Sequence, residues 1–365
     1  MRESYQKQYY EILERLINNP NKKRPSRIGN IHGNFVEIIR ANLLKEFPLM
    51  EIKKIQFSNI LYELLWFIHG DTCNKYLIDN GCNIWTDDSW RYYNEKYVPL
   101  GAQKISKEEF IEKSKNGENI PIFDSVSNLS YNERYTYGNL DRIYGKQWRE
   151  FNGKTDQLQN CINTLIKNPD DRRMIVTAHN PTDIENNIVG LPACHNMFQF
   201  HTTPLSFDQR HNIYSERNNS MRLNFDSIER VTKAFDELEI PKFYLNVWFN
   251  IRSNDFFLGQ PYNMASYALL LHIIGNIVNM IPREVVCTAI DCHLYEAHIP
   301  AAIEWVKRYD DLSRNNDFSI DLNNAWCQSK LKIKRKLTSI DDINADDFEL
   351  INYKPQSYIK APLLT

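Results

Sequence analysis

A chain of 365 residues with 42% apolar and 12% aromatic side chains has ample material for a large buried core, which excludes a disordered protein. A formal net charge of -2 offers no global field to draw in nucleic acid, so an anionic ligand has to be small and held by locally placed arginines. The polar, amphipathic N-terminus holds no apolar stretch long enough for a signal peptide or a membrane span, and seven cysteines without a CxxC pair or a Cys/His grouping at metal spacing read as reduced thiols in a cytosol-like compartment.

Residues 4 to 18 carry apolar positions at helical spacing, and Asn19-Pro20-Asn21 ends the pattern, so an opening helix is followed by a basic loop, KKRPSR, that holds Arg24 and Arg27. Phe35 to Phe47 reads as extended segments. Ser58 is placed to cap the apolar helix NILYELLWFIHG, which Gly70 terminates. Glu63 lies inside that helix, where a carboxylate among Leu, Trp and Phe is costly to bury unless paired or protonated. Residues 101 to 138 are polar, with a helical patch near EEFIEKSKN, and read as an exposed insertion. TDQLQNCINTLIKN has helical periodicity and RRMIVTA has strand character. A second insertion, 204 to 241, contains a helical stretch around ERVTKAFDEL. YLNVWFNIR reads as a strand, SYALLLHIIGNIVNMI as a long buried helix, and a third insertion covers 310 to 328. Strands and helices mix without regular alternation, which predicts an α+β fold in one elaborated domain over residues 1 to 365.

Leu191-Pro192-Ala193-Cys194-His195 sets a potential thiol nucleophile beside an imidazole, although most cysteines are structural and adjacent Cys and His arise by chance. Arg172-Arg173 follows Asp170-Asp171, a pattern that usually forms solvated ion pairs. Arg252-Ser253-Asn254-Asp255, followed by Phe-Phe-Leu258-Gly259 and Pro261-Tyr262-Asn263, places short polar groups and glycine at the end of an apolar strand, as a ligand-facing turn does.

The order of YELLWFIHGDT, NIW, IYGKQWR, DDRR, PACH, RSNDFFLGQPYN, DCHLYEAH and IKAPLLT is more specific than any one of them. In that order the chain resembles the thymidylate synthase family of the folate-dependent, cysteine-nucleophile type, from about Arg24 to the last residue. The resemblance implies a sheet backed by helices, and a homodimer whose sheets stack back to back. It implies dUMP and 5,10-methylenetetrahydrofolate as substrates, with no metal, membrane or nucleic acid required. It makes Cys194 the nucleophile that adds to C6 of uracil, with His195 beside it, so that C5 can bond to the one-carbon unit. Arg252 would favour the thiolate and bind the nucleotide phosphate. Arg172 and Arg173 would reach the same phosphate across the dimer, completed by Arg24 or Arg27, with Ser253 nearby. Glu63 would handle protons as general acid and base, and Asn263 would read O4 and N3 of uracil. His293 and Tyr295 would bind the deoxyribose hydroxyl. The folate would meet Lys53, Ile84, Trp85, Leu191, Asp255, Leu258, Gly259, Tyr262 and Ala361 in the closing C-terminal tail, with Tyr144 and Trp148 in the wall. Trp85 equally suits a core aromatic.

The pattern departs from the family at Ala193 before the cysteine, Ile251 before the arginine, Asp141-Arg142 before IYGKQWR, Cys73 after GDT, Glu51-Ile52 before Lys53, and the Leu-Leu-Thr end. Phage-type relatives share some of these features, which keeps a deoxyuridylate hydroxymethylase as the rival outcome. There water, instead of hydride, completes the product, and the compartment for a phage protein would be the host cytoplasm. A non-catalytic nucleotide- or RNA-binding relative is the remaining alternative, disfavoured by the presence of Cys194, Glu63, Arg252 and Asn263 together.

Overall fold

The Ser4 side chain accepts a hydrogen bond from the Lys7 N–H and starts α1 (Tyr5–Asn18), whose Tyr5, Tyr9, Ile12, Leu13 and Leu16 recur at helical spacing and are buried. This is seen in a computed structural model that describes residues 3–26, 28–121, 135–217, 227–314 and 329–363. The basic stretch expected as a loop is instead a strand, β1 (Lys22–Ser26), paired antiparallel with β2 (Gly29–Asn42). It sits at the sheet edge, where Pro25 can lack an N–H without leaving a gap in an inner ladder.

The apolar helix is α2 (Phe57–Ile68). Ser58 does not cap it: Gln56 precedes the helix with no side-chain cap bond, and Ser58 lies within the first turn. Gly70 follows its end at φ +70, a left-handed conformation that glycine adopts without strain. Then come α3 (Lys75–Asp79), α4 (Thr86–Tyr92) with a π turn at Tyr93–Tyr97, and α5 (Lys107–Asn116), capped by Ser106. The middle of the chain runs α6 (Tyr144–Arg149), α7 (Gln157–Lys167), β3 (Ile175–Thr177), α8 (Pro181–Glu185), β4 (His195–Pro204), α9 (Phe207–Arg217) and α10 (Ile228–Glu237). It continues with β5 (Phe243–Ile251), β6 (Asn254–Asp255), α11 (Gly259–Ile277), β7 (Ile281–Tyr295), α12 (Ile299–Arg314), β8 (Lys330–Ile333) and β9 (Phe348–Ile351).

The main sheet has the order β1-β2-β7-β5-β4-β3, with β6 paired to β7 beyond the end of β5. Its pairs are antiparallel except β5 with β7 and β6 with β7, so the sheet is mixed and the fold is α+β. One face of β5, carrying Leu245, Val247, Phe249 and Ile251, is buried against α11, which packs on β5, β7 and α2 and is itself buried on nearly every side. The opposite face carries Asn246, Trp248 and Asn250 with partial exposure, and Val36 and Ile38 of β2 are exposed.

The first polar block is less solvent-facing than its composition suggests. Ile105, Phe110, Ile120 and Tyr137 from it enter the main core, because α5 turns an apolar edge inward. In the second block, Tyr214, Phe235 and Ile240 form a small cluster of their own. Residues 122–134, 218–226 and 315–328, which carry much of the three blocks, lie outside the described residues, as do Arg27 and Cys327. Among the described residues no helix is long and apolar enough to cross a membrane.

Gly145 lets α6 lie directly on the end of α2: a Cβ there would stand 3.0 Å from the Phe67 and Asp71 carbonyl oxygens. Both neighbours are backbone and cannot swing aside. Gly145→Ala should therefore destabilise the fold by about 1–3 kcal/mol and shift Tyr144, its neighbour in α6. Denaturant unfolding measures the first effect, and an unchanged midpoint would show that the two helices separate freely.

Candidate active site

Cys194 ends the turn that enters β4, and three contacts fix it. Its N–H donates to the Tyr144 hydroxyl oxygen at 2.7 Å, its carbonyl accepts from the Arg252 N–H at 2.8 Å, and Arg252 Nη2 lies 4.0 Å from Sγ. The guanidinium is held in place by the loop it serves: Nε donates to the Ala193 carbonyl and Nη2 to the Pro192 carbonyl, each at 2.9 Å. The register of β4 on β5 slips between His195 and Met197, a bulge that re-aims the strand beside the cysteine. Burial pushes the thiol above its ordinary range, Arg252 pulls it back, and Asp88 adds to the rise. Arg252 thus favours the thiolate without overcoming burial, so the resting group is the thiol.

His195 stacks on Tyr144 at 4.0 Å, with Nδ1 3.0 Å from the Tyr267 hydroxyl. Burial lowers its pKa to about 3, so the imidazole is neutral at physiological pH. Tyr144 is buried and held well above the ordinary tyrosine range, chiefly by burial and then by Cys194, which keeps its hydroxyl neutral.

Glu63 projects from α2, and its Oε1 accepts from Trp85 Nε1 at 2.6 Å. Burial raises the carboxyl to about 7, against the lowering effect of the Trp85 bond. A group so placed exchanges protons in both directions near neutrality. Trp85, 7% exposed, serves as core and wall together, packing edge-on against Trp66, Phe67 and Tyr144 while holding Glu63. Trp148 is fully buried behind it, against Phe67. Glu63→Gln should lower kcat/KM by about 10²–10⁴-fold and remove an ionisation near pH 7 from the kcat/KM profile, which reports the ligand-free protein. A profile unchanged in shape would assign that ionisation to another group.

Arg24, Leu191, Cys194, Arg252, Ser253, His293 and Tyr295 line one cavity of about 1220 Å³. Arg24 reaches Asp291 at 2.6 Å, and His293 Nδ1 lies 2.7 Å from the Asp291 carbonyl, with its ring edge-on to Tyr295. Arg91, Tyr92 and Lys96, which sequence reasoning does not single out, extend the same wall. Asn263 is the fifth residue of α11, one turn on from Gly259 and beside it, and its side chain makes no hydrogen bond among the described residues.

Asp255 Oδ1 accepts from the Phe257 and Leu258 N–H groups at 3.1 Å each, which holds the turn leading to Gly259 and Tyr262. Burial raises this carboxyl, but His298, the Leu258 N–H and His293 outweigh it and leave the carboxyl below its ordinary range. Ile84, Leu258, Tyr262 and Ala361 are half-buried against the core. Lys53 is turned inward: at 2% exposure it donates to the Phe257 carbonyl at 2.7 Å and lies over the Phe257 ring, with burial lowering its pKa to about 7. Arg172 and Arg173 are set apart from the cavity, on the turn before β3, where the Arg173 side chain is 89% exposed. Tyr267 and His298 escape sequence reasoning because their partners, His195 and Asp255, are brought to them only by folding. No group of three or more His, Cys, Asp or Glu side chains among the described residues is arranged to hold a metal ion.

A cysteine at the mouth of a mixed sheet, facing an arginine-lined cavity with a near-neutral glutamate behind it, is the layout of a transferase that works through a covalent thiol adduct. The family model for thymidylate synthase matches residues 7–365, and the chain belongs to that family. It is 32% identical to the thymidylate synthase of Mycoplasma mobile over 356 residues, covering 97% of this chain and 98% of that protein. It is also 32% identical to the Staphylococcus haemolyticus enzyme of that name, covering 100% and 99%, and to that of Listeria innocua, covering 98% and 99%.

Proposed function

We propose that this chain is a thymidylate synthase, converting dUMP to dTMP, within a single catalytic domain. The observation that carries the reading is the Cys194 thiol 4.0 Å from an arginine that is itself clamped by the cysteine's own loop. Cys194 adds to C6 of the pyrimidine, and Arg252 stabilises the thiolate as it forms. Arg252, Arg24 and Ser253 bind the phosphate, with Arg27 as a further candidate for that cluster. His293 and Tyr295 hold the sugar hydroxyl. The free amide of Asn263 pairs with the O4 and N3 edge of uracil. Glu63 moves protons at the ring carbonyl, and neutral His195 and Tyr144 order the proton path beside the sulfur.

When bound, 5,10-methylenetetrahydrofolate supplies the one-carbon unit and the hydride. Asp255 would accept from its ring nitrogens, while Trp85, Ile84, Leu191, Leu258, Gly259, Tyr262 and Ala361 form its walls. Lys53 backs this subsite through Phe257 and does not reach it directly. The accessible sheet face and the outlying Arg172 and Arg173 support a homodimer in which each chain lends both arginines to its partner's phosphate. Work in the cytoplasm fits its reduced cysteines.

The product decides the reading. Incubation with dUMP and methylenetetrahydrofolate should give a nucleotide of dTMP mass together with dihydrofolate, followed by absorbance. The mass of 5-hydroxymethyl-dUMP without dihydrofolate would identify a hydroxymethylase, which the names of the relatives do not favour. No conversion at all would leave only binding.

A further inference from the structure

His298 stands where β7 gives way to α12, in a 3-10 turn at Glu296–His298, and its side chain is 0% exposed. Its two ring nitrogens face different segments. Nε2 lies 2.8 Å from the Pro362 carbonyl oxygen, 64 residues further along the chain. Nδ1 lies 3.8 Å from Asp255 Oδ1 and has no hydrogen-bond partner.

A carbonyl oxygen only accepts, so Nε2 has to carry a proton. If the ring held that proton alone, the lone pair of a buried Nδ1 would point at a carboxylate, unsatisfied and repelled. A second proton on Nδ1 turns this contact into an ion pair, too long at present for a full hydrogen bond but within charge-pairing distance. Aromatic rings pack around it, Tyr295 edge-on at 5.4 Å and Phe257 at 5.9 Å.

The charged groups that bear on it are Asp255 from β6, Lys53 from the segment before α2, and, through Asp255, His293 from β7. Burial lowers the His298 pKa, Asp255 and the Pro362 carbonyl raise it, and Lys53 lowers it, with the balance above the ordinary 6.5. Lys53 itself titrates near 7, so its opposition fades as it loses its proton.

We propose that His298 is a charged clasp: as an imidazolium it fastens the C-terminal segment at Pro362 to the Asp255 carboxylate, and so couples docking of that segment to the folate subsite and to pH. It is a positioning residue, acting through Asp255 and the segment it holds. The folate part of this inference rests on the function proposed above; the charge state does not. The clasp is closed below the His298 pKa and opens as pH climbs through it.

Nitrogen-15 NMR of the ligand-free protein reads the charge directly. The pH at which one of the two His298 ring protons is lost should lie above the ordinary 6.5, and deletion of residues 362–365 should lower it. A midpoint at or below 6.5, or one unmoved by the deletion, overturns the clasp. In turnover, His298→Gln should raise KM for methylenetetrahydrofolate about tenfold, the scale of one lost charge-assisted bond, leave KM for dUMP within about twofold, and flatten the rise of folate KM with pH. Equal rises in both KM values, or an unaltered pH dependence, would mean a merely structural histidine. If the wild-type protein turns over no dUMP, the proposed function fails, while the NMR measurement still decides the clasp.

Discussion

Cys194→Ala should bind dUMP about as well as the wild-type protein and convert none of it. Binding is proposed for Arg24, Arg252 and Ser253, for His293 and Tyr295, and for Asn263. The substitution replaces none of them and takes from Arg252 only its 4.0 Å contact with Sγ, leaving its bonds to the Pro192 and Ala193 carbonyls, whereas turnover in the proposed mechanism needs the C6 bond that the thiol makes. The expected loss in kcat is at least about 10⁴-fold, the scale seen when a nucleophile that acts as part of a unit is removed. Equilibrium binding and product formation, measured side by side, separate the two. Wild-type protein should also form a covalent adduct with 5-fluorodeoxyuridylate and folate that the variant lacks, visible by mass. Full turnover by the alanine variant would remove the cysteine from the chemistry and the mechanism with it.

Asn263→Asp should move the base preference from uracil to cytosine. The amide offers one donor and one acceptor and can match O4 and N3–H of uracil together. A carboxylate offers acceptors only, which suits the amino group of cytosine and leaves uracil O4 facing a negative charge. A site built on a polar pair rejects the mismatched partner strongly, so the ratio of kcat/KM for dUMP over dCMP should fall by at least about 10²-fold. Competition between the two nucleotides measures it. An unchanged ratio would place the reader of the base elsewhere, and Asn263 would then be a polar residue near the start of α11 with no part in selection.

Both predictions rest on residues that are legible in the sequence, and the reason differs from residue to residue. Cys194 and Asn263 stand out because the surrounding motifs come in a fixed order along the chain, not because either short motif is distinctive. Glu63 stands out on physical grounds, as a carboxylate inside an apolar helix, and its rise to about 7 follows from that setting. Other features depend on contacts that no local pattern encodes. Arg252 reaches Cys194 across 58 residues because β5 lies beside β4. Lys53 faces inward because its carbonyl acceptor, on Phe257, belongs to a turn 204 residues away.

What the sequence by itself determined was the set of elements and the kind of chemistry. Apolar periodicity marks α1, α2 and α11, since a helix must bury one face or all of them, and the succession of motifs marks the family. The tertiary structure alone decided that the basic stretch at Lys22–Ser26 is an edge strand, that the first polar block sends Phe110 and Tyr137 into the core, and that His298 meets Asp255 and Pro362. Strand pairing, burial and protonation state are properties of what a residue faces, and what it faces is supplied by distant segments only once the chain has closed on itself.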